Sequence, residues 1–153
     1  SIRVPMLVRW PDKISAGELN EEPWYFADFL PTACDLAGTD IPSHVDGISI
    51  LPALLGKEKE HDLKERYLYW ELPKNAYELH QAVRKGNWKA IRPGLNQALE
   101  LYNLAEDESE QFDVSNEYPE VVQEIENYLQ KARSDSEMFP VKYDLTGFSG
   151  RKT

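Results

Sequence analysis

His80-Gln81-Ala82-Val83-Arg84, Lys85-Gly86-Asn87 and Trp88-Lys89-Ala90-Ile91-Arg92 are the residues on which the fold of this 153-residue chain turns. Two short strand-like runs flank three residues suited to a tight turn, which is the pattern of a β-hairpin. An isolated hairpin is marginal in water, so its neighbours matter. Upstream, Arg66–Leu72 has the same character. Downstream, Leu99–Leu104 follows a connection containing Pro93-Gly94. The four runs read as an antiparallel meander. Beyond them, Pro119 to about Arg133 places Val121, Val122, Ile125, Tyr128, Leu129 and Ala132 on one face. Acids stand in its first turn and Lys131 and Arg133 in its last, the arrangement that suits a helix dipole. One sheet face covered by one amphipathic helix is a small α+β domain: a four-stranded antiparallel sheet packed by a C-terminal helix.

Working toward the amino end, Gly56–Glu65 is polar and reads as a solvated linker. Before it, Ile41–Leu55 is an irregular connector packing down through Ile48, Ile50, Leu51 and Leu54. Asp28–Gly38 reads as a short helix, with Asp28 as its cap, Pro31 in its first turn and Gly38 just past its end. At the start, Ile2, Val4, Met6, Val8 and Trp10 alternate with Arg3, Leu7 and Arg9, which predicts a strand. Pro5 cannot donate a ladder hydrogen bond, so that strand belongs at or near an edge. The expected organisation is residues 1–55, a linker at 56–65, a subdomain at 66–133 and an extension at 134–153.

Charge narrows the function. The formal net charge is −10, and between Pro93 and Gln130 there are ten carboxylates and no Lys or Arg. Nucleic acid, whose phosphates require basic surface, is therefore not an expected partner. No run of about 18 apolar residues is present, so no membrane span is expected. A single Cys34 rules out an internal disulfide framework and a Cys-based zinc cluster.

Catalytic signatures are thin. His44, His61 and His80 are far apart, and no H-E-x-x-H, G-x-S-x-G, P-loop or dinucleotide fingerprint occurs. Glu106-Asp107-Glu108 lacks the spaced ligands and central Gly of a calcium loop and reads as a solvated acidic face. Cys34 reads as a small core residue. Tyr67 and Tyr69 share one strand face and Trp70 takes the other, so either face offers a sugar platform or core packing. Arg84, Lys85, Lys89 and Arg92 divide between the two faces and read as solvated surface. No catalytic or metal-ligating residue is assigned. Glu71 and His80 are the substrate-binding candidates, because they bracket Leu72–Leu79, read as a loop between adjacent strand ends.

Five segments, in order, resemble the carboxy-terminal portion of the type I sulfatase (arylsulfatase) family. They are Ile2-Arg3-Val4-Pro5-Met6 with Val8-Arg9-Trp10-Pro11; Asp28 with Pro31-Thr32 and Asp35-Leu36-Ala37-Gly38; Asp46-Gly47-Ile48-Ser49; Ala82-Val83-Arg84 with Gly86, Trp88 and Lys89; and Glu100-Leu101-Tyr102-Asn103-Leu104 with Asp107 and Glu110. The resemblance implies that residues 1–55 are the last strand and helix of a larger α/β domain. It further implies a parent enzyme that hydrolyses sulfate esters with calcium and a formylglycine made from Cys or Ser in C/S-x-P-S-R. Cys34 is followed by Asp35-Leu36-Ala37-Gly38, so it does not match that motif, and this chain alone is expected to be inactive. The implied partners are an N-terminal catalytic domain of the same protein and a sulfated small molecule or glycan; the implied location is periplasmic or secreted. A free fragment, with its apolar strand and helix unpartnered, is expected to self-associate. Two other readings stay open: the end of a related phosphonate or phosphodiester hydrolase, and a stand-alone carbohydrate-binding or interaction module.

Overall fold

A computed structural model describes residues 4–57, 63, 65–75, 78–134 and 137–138. Most of the expected linker and extension, and the opening residues Ile2 and Arg3, lie outside them. The chain divides into two compact units, Ser1–Lys64 and Glu65–Thr153.

The second unit is a four-stranded antiparallel sheet in the order β1-β2-β3-β4. Its strands are β1 (Leu68–Asn75), β2 (Glu78–Lys85), β3 (Trp88–Arg92) and β4 (Glu100–Asn103). Lys85 pairs with Trp88, leaving Gly86-Asn87 as the turn, and Gly86 takes φ 56°, a left-handed conformation that glycine adopts without a Cβ clash. Cross-strand partners point to the same face, so the register Tyr69↔Val83↔Ala90↔Leu101 defines one apolar row. Helix α3 (Pro119–Leu129) covers that row. Val83, Ala90, Leu99, Leu101, Ile125 and Leu129 form the buried core, with Tyr67, Tyr69, Trp88, Tyr118, Val121, Val122 and Tyr128 packed around it. Pro119 opens the helix at its first position, where its missing N–H costs nothing. The helix stops at Leu129, earlier than expected, so Lys131 and Arg133 lie past its end rather than in its last turn.

The outer edge of β4 is closed by the chain's own loop. Leu101 donates its N–H to Asp113 Oδ1 at 3.0 Å, and its carbonyl accepts the Val114 N–H at 2.9 Å. That occupies the hydrogen-bonding groups an edge strand would otherwise present.

In the first unit, a 3₁₀ turn (Phe26–Asp28) runs directly into α1 (Phe29–Ala37), and a four-residue α2 (Leu51–Leu54) follows. Gly38 ends α1 in a left-handed conformation, φ 66°, as expected. Asp28 does not cap α1. Its backbone is already helical (φ −77°, ψ −13°), and its fully buried carboxylate accepts N–H groups from Tyr25 and Ile48, each at 3.0 Å. It therefore fastens the Asp46-Gly47-Ile48-Ser49 segment to the start of the helix. Thr32 repeats the device: its hydroxyl donates to the Asp28 carbonyl at 2.7 Å and accepts the Ile50 N–H at 3.0 Å. Gly47 is required by this contact, because a Cβ there would lie 2.0 Å from the Ala27 carbonyl oxygen.

Ile50, Ala53 and Leu63 form a small buried cluster with Trp24 and Leu54 against it. Leu63, inside the run read as solvated linker, is thus a core residue. Residues 4–10 adopt no strand, and Val4 and Leu7, on opposite sides of the expected alternation, are both largely exposed. A lone strand has no neighbour to take its backbone hydrogen bonds, and Pro5 removes one donor more.

Candidate functional site

Most of Leu72–Leu79 is strand rather than loop: β1 runs to Asn75 and β2 starts at Glu78. β1 and β2 stay paired through Leu72↔His80 and Pro73↔Leu79 to Asn75↔Glu78, so the segment is an extension of the hairpin. β3 reaches only as far as Arg92, opposite Gln81, which leaves this extension with no third strand beside it. Pro73 and Asn75 look like turn residues in sequence, yet Pro73 sits in an outer strand, where a missing donor is tolerated.

The two candidate residues are not brought together. Glu71 pairs with Gln81, and His80 pairs with Leu72, so Glu71 faces the helix side of the sheet and the half-buried His80 the other. Glu71 is engaged from two directions. The Tyr69 hydroxyl donates to Glu71 Oε2 at 2.7 Å, and Arg133 Nε lies 3.3 Å from the same oxygen. Tyr69 in turn accepts from Gln81 Nε2 at 2.9 Å, Arg92 Nη1 donates to Gln81 Oε1 at 3.4 Å, and Arg92 Nη2 reaches Glu126 Oε1 on α3 at 3.3 Å. Burial pushes the Tyr69 hydroxyl well above its ordinary range; the Gln81 hydrogen bond opposes this and the Glu71 carboxylate adds to it.

Of the four basic residues expected on solvated surface, Lys85, Lys89 and Arg92 pair with carboxylates, and Arg84 donates from Nε to the Gly86 carbonyl at 3.3 Å. Lys85 donates to Glu124 Oε1 at 2.6 Å and lies 5.2 Å from the centre of the Tyr67 ring, whose hydroxyl donates to the same Glu124 oxygen. The Lys85 hydrogen bond, then the Tyr67 one, hold Glu124 below its usual value. Lys89 is buried and ion-paired with Glu110, contrary to the solvated reading. Glu110 itself takes φ 56°, an uncommon conformation for a residue with a side chain. Beside them, burial and then the hydrogen bond to Glu100 push the Tyr102 hydroxyl up to about 12.

Of the aromatic residues, Tyr67 stacks on Tyr128 at 4.0 Å between ring centres and Tyr69 packs on the core, so the helix-side rings are spent on packing. Trp70 is half-buried on the other face. The acidic run is less idle than its solvated reading. The Asp107 carboxylate accepts N–H groups from Gln111 at 2.7 Å and Phe112 at 2.8 Å, which shapes the loop after β4. Asp113, which the sequence reading passed over, accepts from Leu101 and Ser115. Burial raises its carboxyl, but those amide hydrogen bonds prevail and hold it below its usual value. The one available signal was the spacing Asp113-Val114-Ser115, typical of an Asx turn.

Among the described residues, no group of three or more His, Cys, Asp or Glu side chains is placed to hold a metal ion, and no helix is long and apolar enough to cross a membrane. Cys34 is half-buried in α1 and lacks the x-P-S-R context. The described residues do not fit a calcium or formylglycine site.

The family described as N-sulphoglucosamine sulphohydrolase, C-terminal, matches residues 1–135. Human steryl-sulfatase is 36% identical over 92 residues, covering 59% of this chain and 16% of the relative. Zebrafish (Danio rerio) arylsulfatase K is 31% identical over 136 residues, covering 85% of this chain and 25% of the relative. Among solved structures, Ps i-CgsB superposes with a TM-score of 0.70 at 29% identity, covering 80% of this chain and 27% of its own; its complex with k-i-k-neocarrahexaose gives 0.69. This chain thus spans a sixth to about a quarter of those relatives. With the match running along both units and sulfatases among the similar sequences, the chain belongs to the sulfatase family, as its carboxy-terminal portion.

Proposed function

We propose that the protein carrying this chain hydrolyses sulfate esters of glycans, and that this portion shapes the substrate cleft without supplying catalytic groups. The observation that carries the reading is the family match along residues 1–135. The complex of Ps i-CgsB with k-i-k-neocarrahexaose supports a glycan over a small aryl ester. An N-terminal catalytic domain of the same protein would supply calcium and the formylglycine. The exposed Phe26, Phe29 and Leu30 of the first unit support such a partner, since an apolar patch of that kind calls for cover. Within the second unit, the β1–β2 hairpin is the proposed substrate-side element, with Glu71 and His80 on its two faces.

Assaying the full-length protein for inorganic sulfate release tests the chemistry. Release from sulfated oligosaccharides is the expected outcome, and cleavage of phosphonate monoesters without sulfate release would overturn it. His80→Ala should change preference among sulfated glycans more than turnover of a minimal aryl sulfate. Equal effects on both would remove His80 from the substrate side.

A further inference from the structure

The hairpin extension has lost the lateral support that β3 gives the rest of β2, because β3 ends opposite Gln81. Helix α3 ends at Leu129, so it offers no further turns of cover. What lies at the base of the extension is a closed sequence of polar contacts: Glu126 to Arg92, Arg92 to Gln81, Gln81 to Tyr69, Tyr69 to Glu71, and Glu71 to Arg133, which the chain joins back to Glu126. The Arg133 side chain is only 7% exposed, so its charge is paired with Glu71 largely away from water. Leu79, the next residue outward on that face, is fully buried. The ring holds two guanidinium groups and two carboxylates, a neutral set with no charge left over to recruit an anionic ligand.

We infer that this ring is the anchor of the hairpin, and that Arg133 and Tyr69 are positioning residues: they fasten the segment after α3 to the hairpin base and so set where the hairpin presents itself to substrate. The anchoring rests on geometry alone; its consequence for substrate preference rests on the proposed cleft-shaping role.

Hydrogen exchange on the full-length protein, compared among wild type, Arg133→Met, Arg133→Lys and Tyr69→Phe, separates the two. Arg133→Met and Tyr69→Phe should speed exchange across residues 71–81 by roughly tenfold, the effect of losing the Arg133–Glu71 ion pair or the charge-assisted Tyr69–Glu71 hydrogen bond, while β3, β4 and α3 keep their protection. Arg133→Lys should restore part of it. Unchanged exchange at 71–81 in both variants, or acceleration spread evenly over β3 and β4, would overturn the anchor. In the same variants, KM for a sulfated oligosaccharide should rise several-fold while kcat for a small aryl sulfate holds. A loosened hairpin with KM unmoved would overturn the effect on substrate and with it the hairpin's cleft role, leaving the anchor in place.

Discussion

In the first unit, Val4, Leu7, Leu19, Phe26 and Phe29 are each more than 60% exposed, whereas Asp28 and Pro31 are fully buried. In the second unit, Leu79, Val83, Ala90, Leu101 and Ile125 are fully buried, and the partly exposed ion pairs of Lys85 and Arg92 sit around them. The first unit hides a carboxylate and shows two phenylalanines; the second hides a row of apolar side chains under its helix, with Leu72 and Phe112 left exposed. A unit that satisfies its backbone internally through Asp28 and Thr32 but leaves apolar surface open is shaped for a partner. A unit whose sheet, helix and edge loop cover one another has met those needs within its own chain.

Substitutions can break that contrast. Leu101→Ala, in the middle of the second unit's core, should cost about 3 kcal/mol, measured by chemical denaturation with a probe in that unit. Gly47→Ala should cost about 2 kcal/mol, because the Cβ meets the Ala27 carbonyl and the backbone must shift. That loss should register in the first unit, by faster exchange at Tyr25 and Ile48, with the second unit's amides unaltered. If instead both units melt together in either variant, they do not fold as separable bodies.

pH should sharpen the contrast without any substitution. Tyr67, Tyr69 and Tyr102 all have hydroxyls raised by burial first. A raised group contributes stability that is complete below its unfolded value, near 10, and is lost as pH climbs toward the folded one. Asp113 and Glu124 are lowered, so their contribution is complete above the carboxylate range and is lost as pH falls through it. The second unit should therefore weaken at both extremes in a melting-temperature series. A flat profile above pH 10 would show that the tyrosine hydroxyls are not held as described. The smallest effect on stability belongs to Phe26→Ser with Phe29→Ser, below about 0.5 kcal/mol for exposed side chains. Light scattering should show this double variant of the free chain associating less than wild type; equal association would place the sticky surface elsewhere.

Local pattern was enough wherever neighbours in sequence are neighbours in space. Trp88–Arg92, the helix start at Pro119 and the left-handed Gly38 follow from alternation, periodicity and backbone chemistry alone. Reading failed where a residue's role depends on a distant partner. Pro73 and Asn75 carry turn chemistry, yet pairing with Leu79 and Glu78 keeps them in a strand. Lys89 looks like surface until Glu110, 21 residues on, closes over it. Asp28 looks like a helix cap because Ile48, one of the two amides it takes, lies 20 residues away. The same limit applies to the site: two residues nine apart across a presumed loop seemed adjacent, and the strand register put them on opposite faces. The family resemblance reached further than periodicity because several of its residues, such as Gly47, Asp28 and Glu110, are these long-range fasteners.

The seal on β4 makes one carboxyl group share, with a backbone amide, the task of keeping a sheet border occupied. While Asp113 is ionised it occupies the Leu101 amide, and a foreign strand finds no vacancy there. Strong acid neutralises that carboxyl and weakens its hold on the amide, while the Val114 N–H still occupies the Leu101 carbonyl, so the border loosens by one of its two bonds.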